Sequence, residues 1–392
     1  MQGDDAMKLV FSKAKNSLLL FLALTIFYLP IYSVEAEQKK ETIERLLTDI
    51  SSTGDPGVQY VVANKDTIVF SHSSGLADIK NKTPLIQRHT MAAFSMTKTI
   101  TAIAVLQLVE REKIKLNDQV SQYIEHPYDS AITISQLISH TAGIPNPIPL
   151  KWVHLASQHK KFDEKKALSQ VLSDNDESDA LSGEQYAYSN IGYWLLGEVI
   201  EKVNGQHYSD YVKENIFKPL NLTKDDIGFQ ISNLNNHAKG YLEKYSFMNL
   251  IKSFVIDDYV WGEYEGSWLH INNVYLNGTA LGGAIGTATA FSRILQDLLN
   301  DHSVLLGKKV KQYLYTQQKT KSGENIDMTL GWHIGKLNDI RYYYKEGGGA
   351  GFHCEMRIYP NHNLATVIML NRTSFNTREN LNKLDSHFID DE

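Results

Sequence analysis

Ser95-Met96-Thr97-Lys98-Thr99-Ile100-Thr101-Ala102-Ile103-Ala104-Val105-Leu106-Gln107-Leu108-Val109-Glu110-Arg111 is apolar or small nearly all the way round a helical wheel. A surface helix keeps one polar face, so this stretch predicts a helix buried on all sides. Other elements must cover it. Strand-like runs lie far to either side, at 58–63 and 67–71, joined as a hairpin through Asn64-Lys65-Asp66. The last third supplies four more, at 330–334, 340–345, 351–359 and 364–371. Helical patterns fill the middle: 190–203, stopped by Asn204-Gly205, then 208–217, stopped before Pro219, then 291–299. An amphipathic helix over 37–52, with Ile43, Leu46, Leu47 and Ile50 on one face, precedes the strands, and a last helix covers 378–389. Together these give an α+β fold: one antiparallel sheet built from both chain ends, flanked by helices, with an inserted helical domain. The expected division is 37–112 and 281–392 for the sheet domain, and 113–280 for the helical one. The aromatic, weakly periodic stretch 234–274 reads equally as an ordered excursion over the site or as a variable loop.

The composition is that of an ordinary globular protein of 392 residues, 42% hydrophobic and 21% charged. A formal net charge of -6 and no strongly basic tract give no reason to expect a nucleic-acid partner. The N-terminus has the three-part layout of a secretory signal. Lys8, Lys13 and Lys15 precede the apolar run 18–32, and Ser33-Val34-Glu35-Ala36 offers cleavage after Ala36. Residues 1–36 are thus expected to be a signal peptide, with Met7 a plausible start, and the product periplasmic or secreted. Retention of the segment as a membrane anchor is the competing reading. Pro30 and an apolar length short of the ~20 residues of a spanning helix weigh against it. Cys354 is the single cysteine, so no internal disulfide forms, and its apolar surroundings in sequence mark a buried thiol. Four glycosylation sequons occur, at Asn81, Asn221, Asn277 and Asn371.

Three short constellations carry chemistry. Ser95 and Lys98, three apart, share a helix face, and a serine hydroxyl needs a base within hydrogen-bond reach. Burial lowers a lysine pKa and the helix N-terminus favours negative charge at an attacked carbonyl. The same spacing at Ser12/Lys15 and Ser157/Lys160 opens no buried helix. Tyr188 and Asn190 stand on the loop entering the helix at 190, where a phenol can relay a proton and an amide can orient a substrate carbonyl or the lysine. Lys345-Glu346-Gly347-Gly348-Gly349 joins two strands, and the N–H of Gly348 is placed to complete an oxyanion hole with that of Ser95. Of the rival triplets, Lys321/Gly323 lies in a polar turn and His333/Gly335 lies inside a strand with no glycine-rich exit.

In this order, these residues resemble the family of class C β-lactamases, D-Ala-D-Ala carboxypeptidases and their esterase and aminopeptidase cousins, the penicillin-recognising serine enzymes. The resemblance extends to Leu116-Asn117-Asp118-Gln119-Val120, to Leu137-Ile138-Ser139-His140-Thr141-Ala142-Gly143-Ile144, to Ile216-Phe217-Lys218-Pro219-Leu220 and to Gly282-Gly283-Ala284-Ile285-Gly286-Thr287. It implies Ser95 as nucleophile, Lys98 as its activator and Tyr188 as a second acid/base, with either of the latter two as primary base. Asn190, Lys345, Gly347 and Gly348 would bind substrate, and His140 would be structural rather than a triad member. The partner would be a small-molecule or peptide substrate, with no cofactor and no metal. Membrane contact would follow only from a retained signal. One position departs from the family: Glu346 stands where Lys-Thr-Gly has its threonine. Strand alternation would turn Glu346 away from the face of Lys345.

Overall fold

The computed structural model describes residues 37–373 and 375–389, so the expected signal peptide lies outside the described residues. The described residues fall into two compact units, divided between Asp49 and Ile50. A helix over 37–50 contains the described part of the first, in agreement with its apolar spacing. Among the described residues no helix is long and apolar enough to cross a membrane.

The second unit is built on a six-stranded antiparallel sheet. Its strands are β1 (Val58–Ala63), β2 (Ile68–Ser74), β3 (His333–Leu337), β4 (Ile340–Gly349), β5 (Phe352–Tyr359) and β6 (Leu364–Leu370). They lie in the order β3-β4-β5-β6-β1-β2, so the first and last strands meet where β6 pairs with β1, from Val58↔Leu370 to Ala63↔Ala365. Every residue of β1 and β6 is buried, because helices cover both faces. Successive side chains show this: Gln59 accepts from the N–H of Ala288, while Tyr60 donates to Asp385 on the opposite face.

Four helices matter for the site: α1 (Thr97–Glu110), α2 (Asn190–Asn204), α3 (Ala288–Leu299) and α4 (Thr377–Asp385). α1 is buried from Thr97 to Leu108, as its unbroken apolar pattern requires. α2 starts at a Ser189 cap and ends at Gly205 with φ 75°. α3 begins earlier than the apolar spacing indicates, because Thr287 accepts the N–H of Ala290. The helix at 208–217 is α-helical only over Tyr208–Val212 and continues as a π turn, and α4 ends at Asp385 rather than 389. β3 starts at His333 instead of 330, since Gly331 turns the chain at φ 100°. The stretch 234–274 is ordered. It folds into a three-stranded sheet (Gly240–Glu243, Trp261–Glu265, Trp268–Ile271) and a helix, Phe247–Val255, with its own small core of Leu242, Val260, Leu269 and Ile271. Tyr241 joins it to the glycine turn by donating its N–H to Gly351.

Candidate active site

The chain enters the site through a strained turn. Phe94 has φ 43°, in a region bulky side chains avoid. A short 3-10 turn, Phe94–Met96, then leads into α1 and leaves Ser95 part-buried at the helix entrance. Two segments brace this turn. Ala93 donates to the carbonyl of Ala284, and Ala284 donates to Thr97 Oγ1, so the Gly282-to-Thr287 stretch is stitched to both sides of Ser95. The Cys354 thiol donates to the carbonyls of Ala93 and Gly347, and burial pushes its pKa up. It is a packed, unreactive thiol.

Glycine is obligatory on one side. A Cβ at Gly347 would come within 2.2 Å of the Ala93 carbonyl and 2.8 Å of the Ser95 nitrogen. At Gly348 the nearest atom to such a Cβ is 3.7 Å away, so that position is open. The glycines let β4 run on to Gly349, four residues past its expected end at Lys345.

Ser95, Lys98, Tyr188 and Asn190 come together. Ser95 Oγ lies 3.0 Å from Lys98 Nζ and 3.0 Å from Tyr188 Oη. Lys98 Nζ also donates to Asn190 Oδ1 at 2.8 Å and to the Leu281 carbonyl at 2.7 Å. Those two oxygens can only accept. A neutral Lys98 would therefore direct its two N–H bonds at them and its lone pair at Ser95. Asn190 is fixed in this role because Asn146 Oδ1 takes both its backbone N–H and its Nδ2. Of the two tasks expected of this amide, orienting the lysine is the one its oxygen performs.

The electrostatics favour uncharged groups. Lys98 is wholly buried; burial, and then the nearby Lys345, hold its pKa well below the usual lysine range. Burial brings Lys345 down to about 7. The two lysine nitrogens sit 5.2 and 5.1 Å from the centre of the Tyr188 ring. Burial raises the Tyr188 phenol above its ordinary value, although its hydrogen bond to Ser95 pulls the other way. Lys345 Nζ lies 3.4 Å from His333 Nε2, and burial together with Lys345 keeps that imidazole neutral.

Lys345 and Glu346 leave β4 on opposite faces, as alternation requires. Glu346 Oε1 is 2.6 Å from His353 Nε2 and accepts from Thr377 on α4. His353 holds its carboxylate below the ordinary range. His140 makes no triad. Its Nδ1 accepts the Ser189 N–H at 3.1 Å, and its ring packs 4.2 Å from that of Tyr188. Asn146 and Leu281 are the neighbours that sequence reasoning missed, and His333 figures in it only as part of a rival triplet. Asn146 alone had a signal, two residues past the Ser139-to-Ile144 stretch that resembles the family. Among the described residues no group of three or more His, Cys, Asp or Glu side chains is placed to hold a metal ion.

The sequence matches the Beta-lactamase family over residues 40–387, most of the chain. It is 25% identical over 347 residues to penicillin-binding protein 4* of Bacillus subtilis (strain 168), covering 86% of this chain and 72% of that protein. Protein flp of Staphylococcus aureus (strain N315) is 28% identical over 210 residues, and there the match spans 52% of this chain but only 41% of the relative. In structure the chain resembles D-amino acid amidase from Ochrobactrum anthropi SV3 complexed with D-phenylalanine. That match has TM-score 0.75 at 17% identity, over 89% of this chain and 99% of the other. It also resembles the octameric penicillin-binding protein homologue from Pyrococcus abyssi, with TM-score 0.70 at 19% identity over 87% and 74% of the two chains. Identities this low show a common fold and nothing finer. With the fold, the α1 entrance and the family match in agreement, the chain belongs to the Beta-lactamase family of penicillin-recognising serine hydrolases.

Proposed function

We propose that this chain hydrolyses an amide or ester through an acyl-enzyme on Ser95. The observation that carries the reading is Ser95 Oγ, 3.0 Å from both a buried amine and a half-buried phenol. Burial presses the two in opposite directions and sorts their roles. Lys98, depressed, is the group able to be a neutral base. Tyr188, raised, keeps its proton and is the acid.

Ser95 Oγ forms a bond to the substrate carbonyl carbon while its proton passes to Lys98 Nζ. The N–H groups of Ser95 and Gly348 receive the negative charge on the carbonyl oxygen. As the C–N or C–O bond breaks, Tyr188 gives its proton to the leaving group, and Lys98 restores it. Water then attacks the ester by the reverse route, and Ser95 Oγ takes back its proton. Asn190 orients Lys98, and Lys345 contributes positive charge across the Tyr188 ring.

Glu346 turns away from Lys345 and is occupied by His353 and Thr377, so its charge is no obstacle to a carboxylate-bearing substrate. Peptidase, esterase and β-lactam-hydrolysing activities all fit this site. The N-terminal segment supports export, and the partner is a small molecule or peptide rather than nucleic acid.

Intact mass after a fluorophosphonate probe and, separately, a labelled penicillin tests the reading, with Ser95→Ala as control. A probe adduct on the native chain but not on Ser95→Ala is the expected result. A penicillin adduct would place carboxylate-bearing substrates first, and its absence would favour the esterase or aminopeptidase branch. No adduct from either reagent on folded protein would sink the hydrolase and leave a catalytically silent binding or scaffold protein on this fold.

A further inference from the structure

We propose that Glu164 is a positioning residue for Lys98, acting through Thr279 and the carbonyl of Leu281. The role rests on the reading of Lys98 as the base for Ser95. It goes beyond that reading by naming what holds the base in place.

Lys98 has an acceptor that belongs to no side chain: the Leu281 carbonyl, 2.7 Å from Nζ. That carbonyl sits on a single helical turn, Thr279–Gly282, too short to be rigid by itself. Its neighbour, the Ala280 carbonyl, accepts from Thr101 Oγ1 at 2.7 Å, one turn further along α1. Two consecutive carbonyls of this turn therefore grip the helix that carries Lys98. What fixes the turn from outside is Glu164. Its Oε1 accepts the Thr279 N–H at 2.8 Å and its Oε2 accepts the Thr279 hydroxyl at 2.7 Å. The first N–H groups of a helical turn have no partner within it, and a carboxylate is the strongest acceptor available to them.

Glu164 opens a different helix, Glu164–Asp174, and is mostly shielded from water. Burying a carboxylate is costly, and Glu198 and Glu201 on α2 add repulsion, so the carboxyl is raised to about 7. The Tyr208 phenol faces it as well. A surface turn remote from the chemistry would be capped by a cheaper group. Here the cost is borne where the turn's next carbonyls hold the reactive lysine.

The test is the rate of Ser95 labelling by the fluorophosphonate across a pH series, in native protein, Glu164→Ala, Glu164→Gln and Thr279→Val, with thermal melting as a folding control. Glu164→Ala is expected to slow labelling by about 100-fold, the scale of a small misplacement of a reacting group. Its pH–rate limb should also move to lower pH, because Lys98 loses an acceptor that stabilises its charged form. Glu164→Gln can still accept the N–H and can donate to the hydroxyl, so it should stay within about threefold of native. Thr279→Val keeps the amide and loses one bond; it should fall by about tenfold, and it carries the test if Glu164→Ala does not fold. Native rate and an unmoved limb in the folded Glu164→Ala or Thr279→Val protein would overturn this role while leaving Ser95 and Lys98 in theirs. Failure of the native protein to label would overturn both.

Discussion

On the proposed reading Ser95 is ordinary until its neighbours are counted: Lys98, 3.0 Å away, would supply the reactivity, and its charge state would set the pH at which it does so. Burial favours the neutral amine, so the labelling rate of Ser95 should rise with pH through the depressed lysine value and then level off. The limb should fall well below the ordinary lysine range. Lys98→Ala should lose about 100- to 10,000-fold in kcat/KM with the limb abolished, measured by probe labelling or ester turnover. A second residue-level contrast lies in the glycine run. Gly347→Ala places a methyl group against the Ala93 carbonyl and the Ser95 nitrogen, both of which are backbone and cannot swing aside. It should cost about 1–3 kcal/mol of stability and most of the labelling. Gly348→Ala meets only ordinary contacts and should melt close to native. Similar losses of stability in both variants would contradict this difference in packing.

At the scale of elements, the sheet and its last helix are joined by charge rather than by apolar surface alone. Arg357 on β5 is wholly buried between Glu355, at 2.6 Å, and Asp385 on α4, at 3.3 Å. Asp385 also accepts from the hydroxyls of Tyr60, Tyr359 and Thr366, so one carboxylate ties three strands to one helix. Asp385→Ala leaves a buried guanidinium and three hydroxyls short of a partner. It should cost about 3–5 kcal/mol in denaturant unfolding, far beyond a surface change. These elements were legible in the sequence because their physics is local. Strand-like runs bounded by turn residues exposed the strands, and the unbroken apolar wheel exposed α1. Lys98, Tyr188, Asn190 and Lys345 were legible for the same reason, since short spacings on a helix, a loop and a strand carry them. The Leu281 carbonyl was not, because a backbone acceptor has no residue signature. Glu164 was not, because its bonds join segments 115 residues apart, and Asn146 had only its place beside the Ser139-to-Ile144 stretch, since its bonds to Asn190 span 44 residues. The stretch 234–274 was undecided because its small sheet has strands too short to show a period.

For the whole molecule, the topology makes the sheet depend on both its first and its last strands. β6 lies between β5 and β1, so the N-terminal hairpin joins the rest of the sheet only through the last strand to be made. A chain ending before Leu364 should express as an unfolded or aggregated product, with no cooperative melt and no labelling. A folded, labelled truncation would refute that dependence. The same closure explains why the sequon at Asn371 is unusable after folding: its amide nitrogen donates to the carbonyls of Leu76 and Lys239.

The two lysines on the Tyr188 ring also have a consequence for ligand binding itself. Both are kept short of protons by their surroundings, and a negatively charged guest would reverse that preference. An anion entering the cleft near pH 7 should thus arrive with hydrogen ions taken from the solvent, while an uncharged guest should not. Calorimetry in two buffers of different ionisation enthalpy would read this as a difference in apparent heat. The cleft would then report the charge of its guest by how much it alkalinises the medium around it.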